Sequence, residues 1–256
     1  MKLKLLALAA VAAVGLGSAA MAEQTIKVGV AAEPYPPFSS PDAAGHWSGW
    51  EIDLMNAICN DQHLKCVVTP VAWDGIIPAL TSGQIDMIMS SMSITAERQK
   101  VINFSDKYYV TPAAIAVDKS AKFALTPEGL AGKVVGVQVS TTNEAYAKKF
   151  YGAKSTIKEY QTQDEVNQDL LAGRIDADVA DEFTLQDFID HAGKDCCKLT
   201  VLPYDNETLG TGIGAGIRKD DTKLLDAVNK GIADIRANGE YDKITKKYFN
   251  FNIYGD

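Results

Sequence analysis

The sequence predicts an α/β protein built from two similar lobes. Segments typical of strands and of helices alternate along the chain, which favours sheets that contain parallel strands. The pattern Leu-x-x-Gly-x-Ile-Asp occurs twice, ending at Asp86 and at Asp176, and the two copies lie 90 residues apart. Such a period is too long for a solenoid repeat and suits two lobes of similar architecture. With 256 residues, 46% of them hydrophobic, the chain is long enough to form two cores.

Composition and charge exclude several classes of protein. A charged fraction of 23% and an aromatic fraction of 8% are ordinary for a globular protein and exclude a disordered, collagen-like or coiled-coil chain. The formal net charge of -8 at pH 7 argues against nucleic acids and anionic membrane surfaces as partners, because both require a basic surface. The same charge is compatible with a cationic ligand.

The N-terminal segment, residues 1–22, has the features of a secretory signal peptide. Lys2 and Lys4 precede an apolar run over residues 5–16, and Ala20-Met21-Ala22 supplies a cleavage site of small residues. A membrane helix is the competing interpretation, but the run is short for a hydrocarbon core about 30 Å thick. We therefore expect an exported, soluble mature protein.

The first half of the mature chain contains three predicted strands and two predicted helices. Short runs of β-branched and other apolar residues between turn residues indicate the strands, and apolar residues three and four positions apart indicate the helices. In chain order, we expect a strand at 26–30, a helix at 52–59, a strand at 66–71, a short helix at 76–80 and a buried strand at 85–89.

The alternation resumes in the second half of the chain. In chain order, we expect a strand at 134–137, a helix at 143–150, a strand at 156–160, a helix at 164–171, a strand at 177–180 and a helix at 182–189. The C-terminal segment is predicted to be helical, with Asp221 or Thr222 as the cap and Gly239 as the end. Apolar residues three and four positions apart indicate this helix, namely Leu225, Val228, Ile232 and Ile235.

Four cysteines remain in the mature chain, where an oxidising compartment permits disulfides. Cys59 and Cys66 are well placed to join the end of one element to the start of the next. Cys196 and Cys197 are adjacent, so they form a vicinal disulfide, stay free or bridge elsewhere. The three histidines show no ligand spacing around these cysteines, and we predict no metal site.

The two copies of the repeat predict where a ligand binds. In each copy a helix ends, glycine takes a left-handed conformation, and the chain enters a buried strand. Ligands of open α/β sheets lie beyond the carboxyl ends of the strands. The first strand ends at Ser90-Ser91-Met92-Ser93 and the second at Ala180-Asp181-Glu182. We expect these two ends to face one cleft.

Both strand ends carry groups suited to a zwitterion. Arg98 has a guanidinium able to hold a carboxylate with two hydrogen bonds, and the serines before it offer hydroxyls and amides. Asp181 can accept hydrogen bonds from an α-ammonium. Ser140-Thr141-Thr142 precedes a predicted helix whose N-terminal amides favour a carboxylate. Individually these residues are ordinary caps and surface charges, but together with the repeat they predict amino-acid binding.

Five stretches carry a resemblance to a known family. The chain resembles the periplasmic polar-amino-acid-binding proteins of ABC importers, and the histidine and lysine/arginine/ornithine binders in particular. The resemblance spans the mature chain in order. The stretches are Tyr35-Pro36-Pro37-Phe38, Gly49-Trp50-Glu51-Ile52-Asp53-Leu54, Ser90-Ser91-Met92-Ser93-Ile94-Thr95 with Arg98, Val135-Gly136-Val137 with Ser140-Thr141-Thr142, and Gly173-Arg174-Ile175-Asp176-Ala177.

This resemblance implies a two-lobe periplasmic-binding-protein (Venus flytrap) fold with two hinge strands. The first lobe would comprise residues 24–110 and 212–256, and the second lobe residues 111–211. The implied function is to capture an amino acid in the periplasm by lobe closure and to deliver it to a membrane permease. A monomer without a cofactor is expected, and no nucleic-acid partner.

The resemblance also implies roles for individual residues. Arg98 would bind the ligand carboxylate together with the amides of Ser93 and Thr142, and Asp181 would bind the α-ammonium together with Ser91 and Ser93. Cys59 and Cys66 match the disulfide of the histidine binder. The complete predicted ligand-binding set is Glu33, Tyr35, Trp73, Ser90, Ser91, Ser93, Arg98, Gln138, Thr141, Thr142, Asn143 and Asp181.

Two departures from the family pattern concern the ligand side chain. The basic-amino-acid binders carry an aspartate shortly before the tyrosine, where this chain has Ala31-Ala32-Glu33-Pro34. Trp73 replaces a leucine of the histidine binder, and opposite Tyr35 it would suit a flat cation. Gln138 and Asn143 add polar groups, so an opine-type conjugate is an alternative to arginine, lysine, ornithine or histidine.

An enzyme on the same fold is the rival class, because cyclohexadienyl dehydratases resemble this chain too. Such an enzyme needs a cleft acid, for which Glu33 or Glu182 could be nominated. The chain has no G-x-S-x-G, H-E-x-x-H or P-loop motif. The glycine-rich segment from Gly210 to Ala215 lacks the context of a dinucleotide-binding turn, and we interpret it as a tightly packed strand beside the hinge. We predict a binding protein with no catalytic residue.

Overall fold

A computed structural model describes residues 25–255 of the protein. These residues contain two five-stranded sheets. The predicted signal peptide, residues 1–22, lies outside the described residues. Among the described helices, none has the length and apolar character needed to cross a membrane.

The first sheet combines strands from both ends of the chain, in the order β4-β1-β5-β12-β6. Helices α1 (Trp50–Asp61) and α8 (Thr222–Ala237) pack against each other, and both contribute to an apolar cluster with residues of this sheet. The elements before the crossing to the second sheet are β1 (Thr25–Ala31), β2 (Ser40–Pro41), β3 (Trp47–Ser48), α1 (Trp50–Asp61), β4 (Lys65–Val71), α2 (Ile76–Thr81), β5 (Met87–Ile88), α3 (Ala96–Val101) and β6 (Asn103–Phe104).

The second sheet has the order β11-β7-β10-β8-β9. Its elements are β7 (Ala113–Asp118), β8 (Val134–Gln138), α4 (Thr142–Phe150), β9 (Thr156–Tyr160), α5 (Gln163–Leu171), β10 (Ala177–Asp181), α6 (Glu182–Asp190) and β11 (Cys197–Val201). The chain then returns through α7 (Asn206–Leu209) to β12 (Gly216–Ile217), α8 (Thr222–Ala237) and α9 (Glu240–Thr245).

Each sheet has a parallel half and an antiparallel half. β1 pairs in parallel with β4 and β5, and β8 pairs in parallel with β9 and β10, as the alternation of elements predicted. The antiparallel pairs involve β12 in the first sheet and β7 in the second, the strands that flank the two crossings between sheets. Two segments, 105–112 and 202–215, join the sheets, and we keep the lobe limits of 110/111 and 211/212 as a proposal.

The two copies of the repeat adopt the same local structure. Gly83 and Gly173 have φ angles of +77° and +66°, the left-handed conformation expected after a helix. Asp86 accepts a hydrogen bond from the Lys27 amide at 2.9 Å, and Asp176 accepts one from the Val134 amide at 2.9 Å. The acidic residue therefore ties each turn to a neighbouring strand. Because Asp86 serves the turn, β5 is shorter than the predicted strand at 85–89.

The C-terminal helix α8 covers the core of the first lobe. Asp221, one of the two predicted caps, accepts a hydrogen bond from the Leu224 amide at 3.2 Å, and Gly239 follows the helix with φ of +84°. Leu54 and Ile58 of α1 and Val228 of α8 are buried in the same apolar cluster. This packing holds α1 against the sheet, beside the ends of β1 and β5.

Both cysteine pairs are disulfide-bonded. Cys59 at the end of α1 is joined to Cys66 in β4, as predicted. Cys196 and Cys197 are joined to each other at the start of β11, which resolves the three alternatives left open by the sequence. No group of three or more His, Cys, Asp or Glu side chains within residues 25–255 is arranged to hold a metal ion.

The glycine-rich segment before β12 packs closely on the serine-rich loop after β5. A Cβ atom at Gly210 would lie 2.2 Å from the Ile94 carbonyl oxygen, and the Ile94 amide donates to the Gly212 carbonyl at 2.8 Å. The close packing matches the expectation, but the regular strand is limited to Gly216–Ile217. The segment fixes the loop that carries Ser93 and leads to Arg98.

A buried carboxyl in β10 gives a testable pH dependence. Asp178 is 0% exposed, and both of its oxygens accept from the Gln163 side-chain amide, at 3.1 and 2.9 Å. Burial raises the pKa of Asp178 to about 7. The folded state therefore retains a proton that an unfolded aspartate releases near pH 4. The stability from this group is complete below about pH 4 and is lost as the pH rises through about 7.

We therefore expect Asp178→Asn to raise the melting temperature at pH 8 and to leave it nearly unchanged at pH 4. Asparagine stays neutral at both pH values and keeps an oxygen that can accept from Gln163. The gain at pH 8 corresponds to about 2 to 4 kcal/mol of unfolding free energy. Thermal melts between pH 4 and pH 9 measure it, and a difference that did not change with pH would contradict this account.

Candidate functional site

A cavity lies between the carboxyl ends of strands from the two sheets. All twelve residues of the predicted ligand-binding set line it, and Ala31 is a further lining residue. The structure therefore brings together residues that the sequence separates by up to 148 positions, from Glu33 to Asp181. Their binding of a ligand remains a prediction.

The serine-rich loop after β5 forms one wall of the cavity. The Ser90 hydroxyl accepts a hydrogen bond from the Ala31 amide at 2.9 Å, which fixes the loop to the end of β1. Ser91 has φ of +52°, a left-handed conformation that serine rarely adopts. Thr95 caps α3 by accepting from the Arg98 amide at 3.2 Å. The loop and the helix cap together place Arg98 beside Ser93.

Arg98 is the cationic group of the cavity. Its guanidinium donates to the Ser93 carbonyl and to the Ser140 carbonyl, each at 3.0 Å, so it bridges the two sides of the cleft. The guanidinium carbon lies 5.5 Å from the centre of the Trp73 ring. Burial lowers the pKa of Arg98 to about 10, against the charge of Asp181, which raises it. Arg98 is thus a cation at neutral pH.

Asp181, at the end of β10, is the anionic group on the opposite side of the cavity from Arg98. It is 7% exposed and accepts from the Tyr35 hydroxyl at 2.8 Å and from the Asn143 amide nitrogen at 2.9 Å. Burial raises the pKa of this carboxyl, whereas the two hydrogen bonds and the charge of Arg98 lower it. Asp181 occupies the N-cap position of α6 without capping the helix by its side chain. Its carboxylate is directed to the cavity residues instead.

Several atoms around Asp181 can only accept hydrogen bonds. The Tyr35 hydroxyl donates its hydrogen to Asp181, so its oxygen can only accept further hydrogen bonds. Asn143 donates to Asp181 through nitrogen, and its side-chain oxygen is buried without a partner among the described residues. This end of the cavity therefore suits a group with several N–H donors.

The N-terminus of α4 forms the wall opposite the serine-rich loop. Thr141 is the N-cap: its hydroxyl accepts from the Glu144 amide at 3.0 Å and donates to the Gln138 carbonyl at 2.8 Å. The hydrogen of this hydroxyl is therefore used in the bond to the Gln138 carbonyl. The Thr142 hydroxyl lies 3.3 Å from the Ser93 hydroxyl, and the amides of this first turn favour an anion.

Glu33 and Gln138 are two further polar residues of the cavity lining. Glu33 accepts from the Gln138 amide nitrogen at 2.8 Å, and the same nitrogen donates to the Gln161 carbonyl at 3.1 Å. Burial raises the pKa of Glu33, and the charges of Asp74 and Glu165 act in the same direction. This end of the cavity is thus anionic.

Trp73 belongs both to the cavity and to a hydrophobic cluster of the first lobe. Packing in the hydrophobic cluster is therefore compatible with the predicted ligand contact of this residue. Its indole nitrogen is buried without a hydrogen-bond partner among the described residues.

Direct contacts join the two sides of the cleft. Four hydrogen bonds cross it: Tyr35 to Asp181, Gln138 to Glu33, Arg98 to the Ser140 carbonyl, and the Ser93 and Thr142 hydroxyls. Outside the cavity, Phe183 of α6 packs on Phe249 and Phe251 of the C-terminal segment, with ring centres 5.6 and 5.3 Å apart. The structure is therefore in a closed conformation.

One buried residue next to the cavity was missed by the sequence analysis. Glu51, in the first turn of α1, is 1% exposed and binds the amide and hydroxyl of Ser91. The available signal was an acidic residue between Trp50 and Ile52 inside the stretch that carries the family resemblance.

Comparison with known proteins identifies the family. The model of the bacterial extracellular solute-binding proteins, family 3, matches residues 26–251. The chain belongs to this family. It is 41% identical to the lysine/arginine/ornithine-binding periplasmic protein of Escherichia coli (strain K12) and 39% identical to the histidine-binding periplasmic protein of Salmonella typhimurium, in both cases over 100% of each chain. The family resemblance stated from the sequence is confirmed.

Solved structures of family relatives share the fold. An ancestral arginine-binding protein bound to arginine matches 88% of this chain and 98% of its own, with a TM-score of 0.82 and 36% identity. An ancestral amino acid-binding protein described as a precursor of cyclohexadienyl dehydratase matches 88% of this chain and 96% of its own, with a TM-score of 0.78 and 35% identity. The two-lobe Venus flytrap fold predicted from the sequence is confirmed.

Proposed function

We propose that this family 3 protein captures a cationic amino acid between its lobes and delivers it to the permease of an ABC importer. The observation that carries the proposal is the opposition of Arg98 and Asp181 across one cavity lined by both lobes. An α-amino acid has a carboxylate that can bind Arg98 and an α-ammonium that can bind Asp181. Charge-assisted hydrogen bonds of this kind are the strongest that a small polar ligand can make.

The acceptors around Asp181 favour an unsubstituted α-ammonium. Such a group carries three N–H donors, and the lone pairs of Asp181, Tyr35 and the Asn143 side-chain oxygen are available to them. An opine has a secondary amine with fewer N–H donors and a second carboxylate next to it. That carboxylate would face acceptors, so we favour the free amino acid over the conjugate.

The anionic end of the cavity favours a cationic side chain. Glu33 supplies a carboxylate there, and the flat ring of Trp73 lines the same cavity. Relatives named for lysine, arginine, ornithine and histidine binding support the same ligand class. We therefore propose arginine, lysine, ornithine or histidine as the ligand.

We expect Glu33→Gln to weaken the binding of a cationic amino acid by about 10-fold at pH 7.5, because it removes a charge-assisted contact. Since the pKa of Glu33 is raised, wild-type affinity should fall on acidification at a higher pH than for an ordinary glutamate, and the variant should lack this step. Titration calorimetry at several pH values measures both effects. The control is Glu182→Gln, whose half-buried carboxyl does not line the cavity; equal losses in the two variants would contradict the role of Glu33.

Binding by lobe closure follows from the position of the two charged groups. Arg98 belongs to the proposed first lobe and Asp181 to the second, so both contact one amino acid only when the cleft is shut. A ligand that binds the shut state better shifts the population towards it. The permease would then recognise the closed shape. We propose that the protein acts as a monomer in the periplasm, after removal of residues 1–22.

A catalytic function has less support than binding. The two relatives compared over the whole chain are named as binding proteins. Arg98, Asp181 and their neighbours already account for both charges of an α-amino acid. A cyclohexadienyl dehydratase-like activity would need Glu33 or Glu182 as an acid, and Glu33 is instead bonded to Gln138.

A thermal-shift panel on unfolded, ligand-stripped and refolded mature protein tests the proposal. The panel comprises the common L-amino acids, ornithine, opines and prephenate. A ligand at 100 times its Kd adds about 2.7 kcal/mol of stability, which raises the melting temperature of a protein of this size by about 5 °C or more. We expect that shift from one or more cationic amino acids. A shift with opines or prephenate alone would overturn the proposal in favour of the corresponding alternative.

A further inference from the structure

A buried carboxylate without an ionic partner lies directly behind the serine-rich loop. Glu51 is 1% exposed, and no cationic side chain within residues 25–255 forms an ion pair with it. An unpaired buried charge is strongly unfavourable unless hydrogen bonds compensate it. Three neutral groups supply those bonds: the Ser91 amide, the Ser91 hydroxyl and the Tyr108 hydroxyl. Because the burial of this carboxylate is unfavourable for folding, a functional role would account for its presence.

Glu51 determines the backbone conformation of Ser91. The Ser91 amide donates to both carboxylate oxygens at 2.8 Å, and its φ angle is +52°. The left-handed conformation is unfavourable for a serine unless its surroundings stabilise it. The pair of contacts with Glu51 provides that stabilisation from inside the lobe.

Glu51 also determines what the Ser91 hydroxyl can offer to a ligand. The hydroxyl donates to Glu51 Oε2 at 3.1 Å, so the hydroxyl hydrogen points away from the cavity. Ser91 Oγ is left with lone pairs alone. In the cavity that Ser91 lines, it is thereby matched to an N–H donor and mismatched to a carboxylate.

The charge of Glu51 acts in the same direction. Burial raises the pKa of Glu51, the hydrogen bonds from Tyr108 and Ser91 lower it, and the charge of Asp181 on the other side of the cleft adds a smaller rise, so the two carboxylates repel each other. A cation bound between them relieves this repulsion. Arg98, the cationic group of the cavity, is instead bonded to the Ser93 and Ser140 carbonyls.

We infer that Glu51 is a positioning residue for the ligand α-ammonium: it holds Ser91 so that the hydroxyl oxygen accepts from that group. Glu51 does not itself touch the ligand. The inference rests on the proposed function, since it requires an amino acid in the cavity. It assigns to a buried residue of α1 part of the selectivity for a ligand that carries an α-ammonium.

A double-mutant cycle separates this role from a structural one. The variants are Glu51→Gln, Ser91→Ala and the double variant, and the probe is whichever of L-arginine, L-lysine, L-ornithine and L-histidine binds the wild type most tightly in calorimetry. If Glu51 acts through the Ser91 hydroxyl, each single variant loses about 10-fold in affinity, and the double variant loses no more than Glu51→Gln alone. Unchanged affinity in Glu51→Gln, or losses that multiply in the double variant, would overturn the inference.

A matched control isolates general damage to α1. Thr245→Val removes the buried hydrogen bond to the Trp50 indole nitrogen, 3.1 Å long, next to Glu51 in the same helix. This variant should melt at a lower temperature and bind with wild-type affinity; a 10-fold loss of affinity here would assign the effect of Glu51→Gln to the helix and overturn the inference.

A second variant covers the case in which Glu51→Gln does not fold. Glu51→Asp keeps the charge and withdraws it from Ser91, so it should also lose affinity, and wild-type affinity in this variant would overturn the inference. A wild-type protein that binds none of the four amino acids would instead refute the proposed function, so the two failures are distinguishable.

Discussion

Replacing Arg98 by alanine is expected to abolish measurable amino-acid binding while the protein stays folded. The guanidinium, on α3 of the first lobe, is the cation among the cavity-lining residues, and its loss would leave the ligand carboxylate buried without its charged partner. Breaking such a buried pair costs about 3 to 5 kcal/mol, which is a loss of roughly 100-fold to 4000-fold in affinity. Calorimetry with the amino acid that binds the wild type best measures the loss.

Arg218→Ala is the matched control for Arg98→Ala. Arg218 is also partly buried in the first lobe, where it donates to the Ile85 carbonyl at 2.7 Å and to Asp86 at 3.1 Å. It does not line the cavity. The control variant should lose stability and keep its affinity. Normal affinity in Arg98→Ala would refute the assignment of the carboxylate site.

Replacing Asp181 by alanine is expected to have an effect of similar size on the other end of the ligand. Asp181 is the carboxylate that would contact the α-ammonium, and its removal also frees Tyr35 and Asn143, which both donate to it. These donors would then face the N–H groups of the ligand. We expect a loss of at least about 100-fold, measured by the same titration.

Asp187→Ala provides the comparison within the same helix. Asp187 lies in α6, and its carboxylate is 3.6 Å from His191, remote from the cavity residues. Removing it should leave the affinity unchanged. If Asp181→Ala bound the amino acid as tightly as Asp187→Ala does, the α-ammonium site would have to be placed elsewhere.

The position of the cleft was predictable because the repeat is a local feature. Each Leu-x-x-Gly-x-Ile-Asp copy places a glycine in the left-handed conformation and starts a buried strand, so the residues after the two strands could be located from sequence. Asp181 is the last residue of β10, and Ser91 lies three positions after β5. The cavity lining agrees with the predicted set because strand ends at one edge of a sheet converge.

The antiparallel strands were missed because their sequences carry no clear pattern. β7 contains three alanines in six residues, and alanine is a poor indicator of strands. β12 has only two residues, Gly216–Ile217. Both are strands because they pair with β10 or β5 from distant parts of the chain. Such pairings depend on the path of the chain between the lobes.

Glu51 was missed for a different reason. An acidic residue in the first turn of a helix ordinarily faces water, where it interacts with the helix dipole. Its burial here depends on Ser91, 40 positions away, and Tyr108, 57 positions away. The side chains of two other segments therefore determine its role, which no local pattern in α1 could indicate.

The most direct test of the account compares each cationic amino acid with the amine that lacks its carboxylate. Ligand-stripped mature protein is titrated with L-arginine, L-lysine, L-ornithine and L-histidine, and with agmatine, cadaverine, putrescine and histamine. We expect at least one amino acid to bind one-to-one with micromolar or higher affinity, and its amine to give no measurable heat. Binding of the amine as tightly as the amino acid, or no binding by any of the four amino acids, would contradict the account.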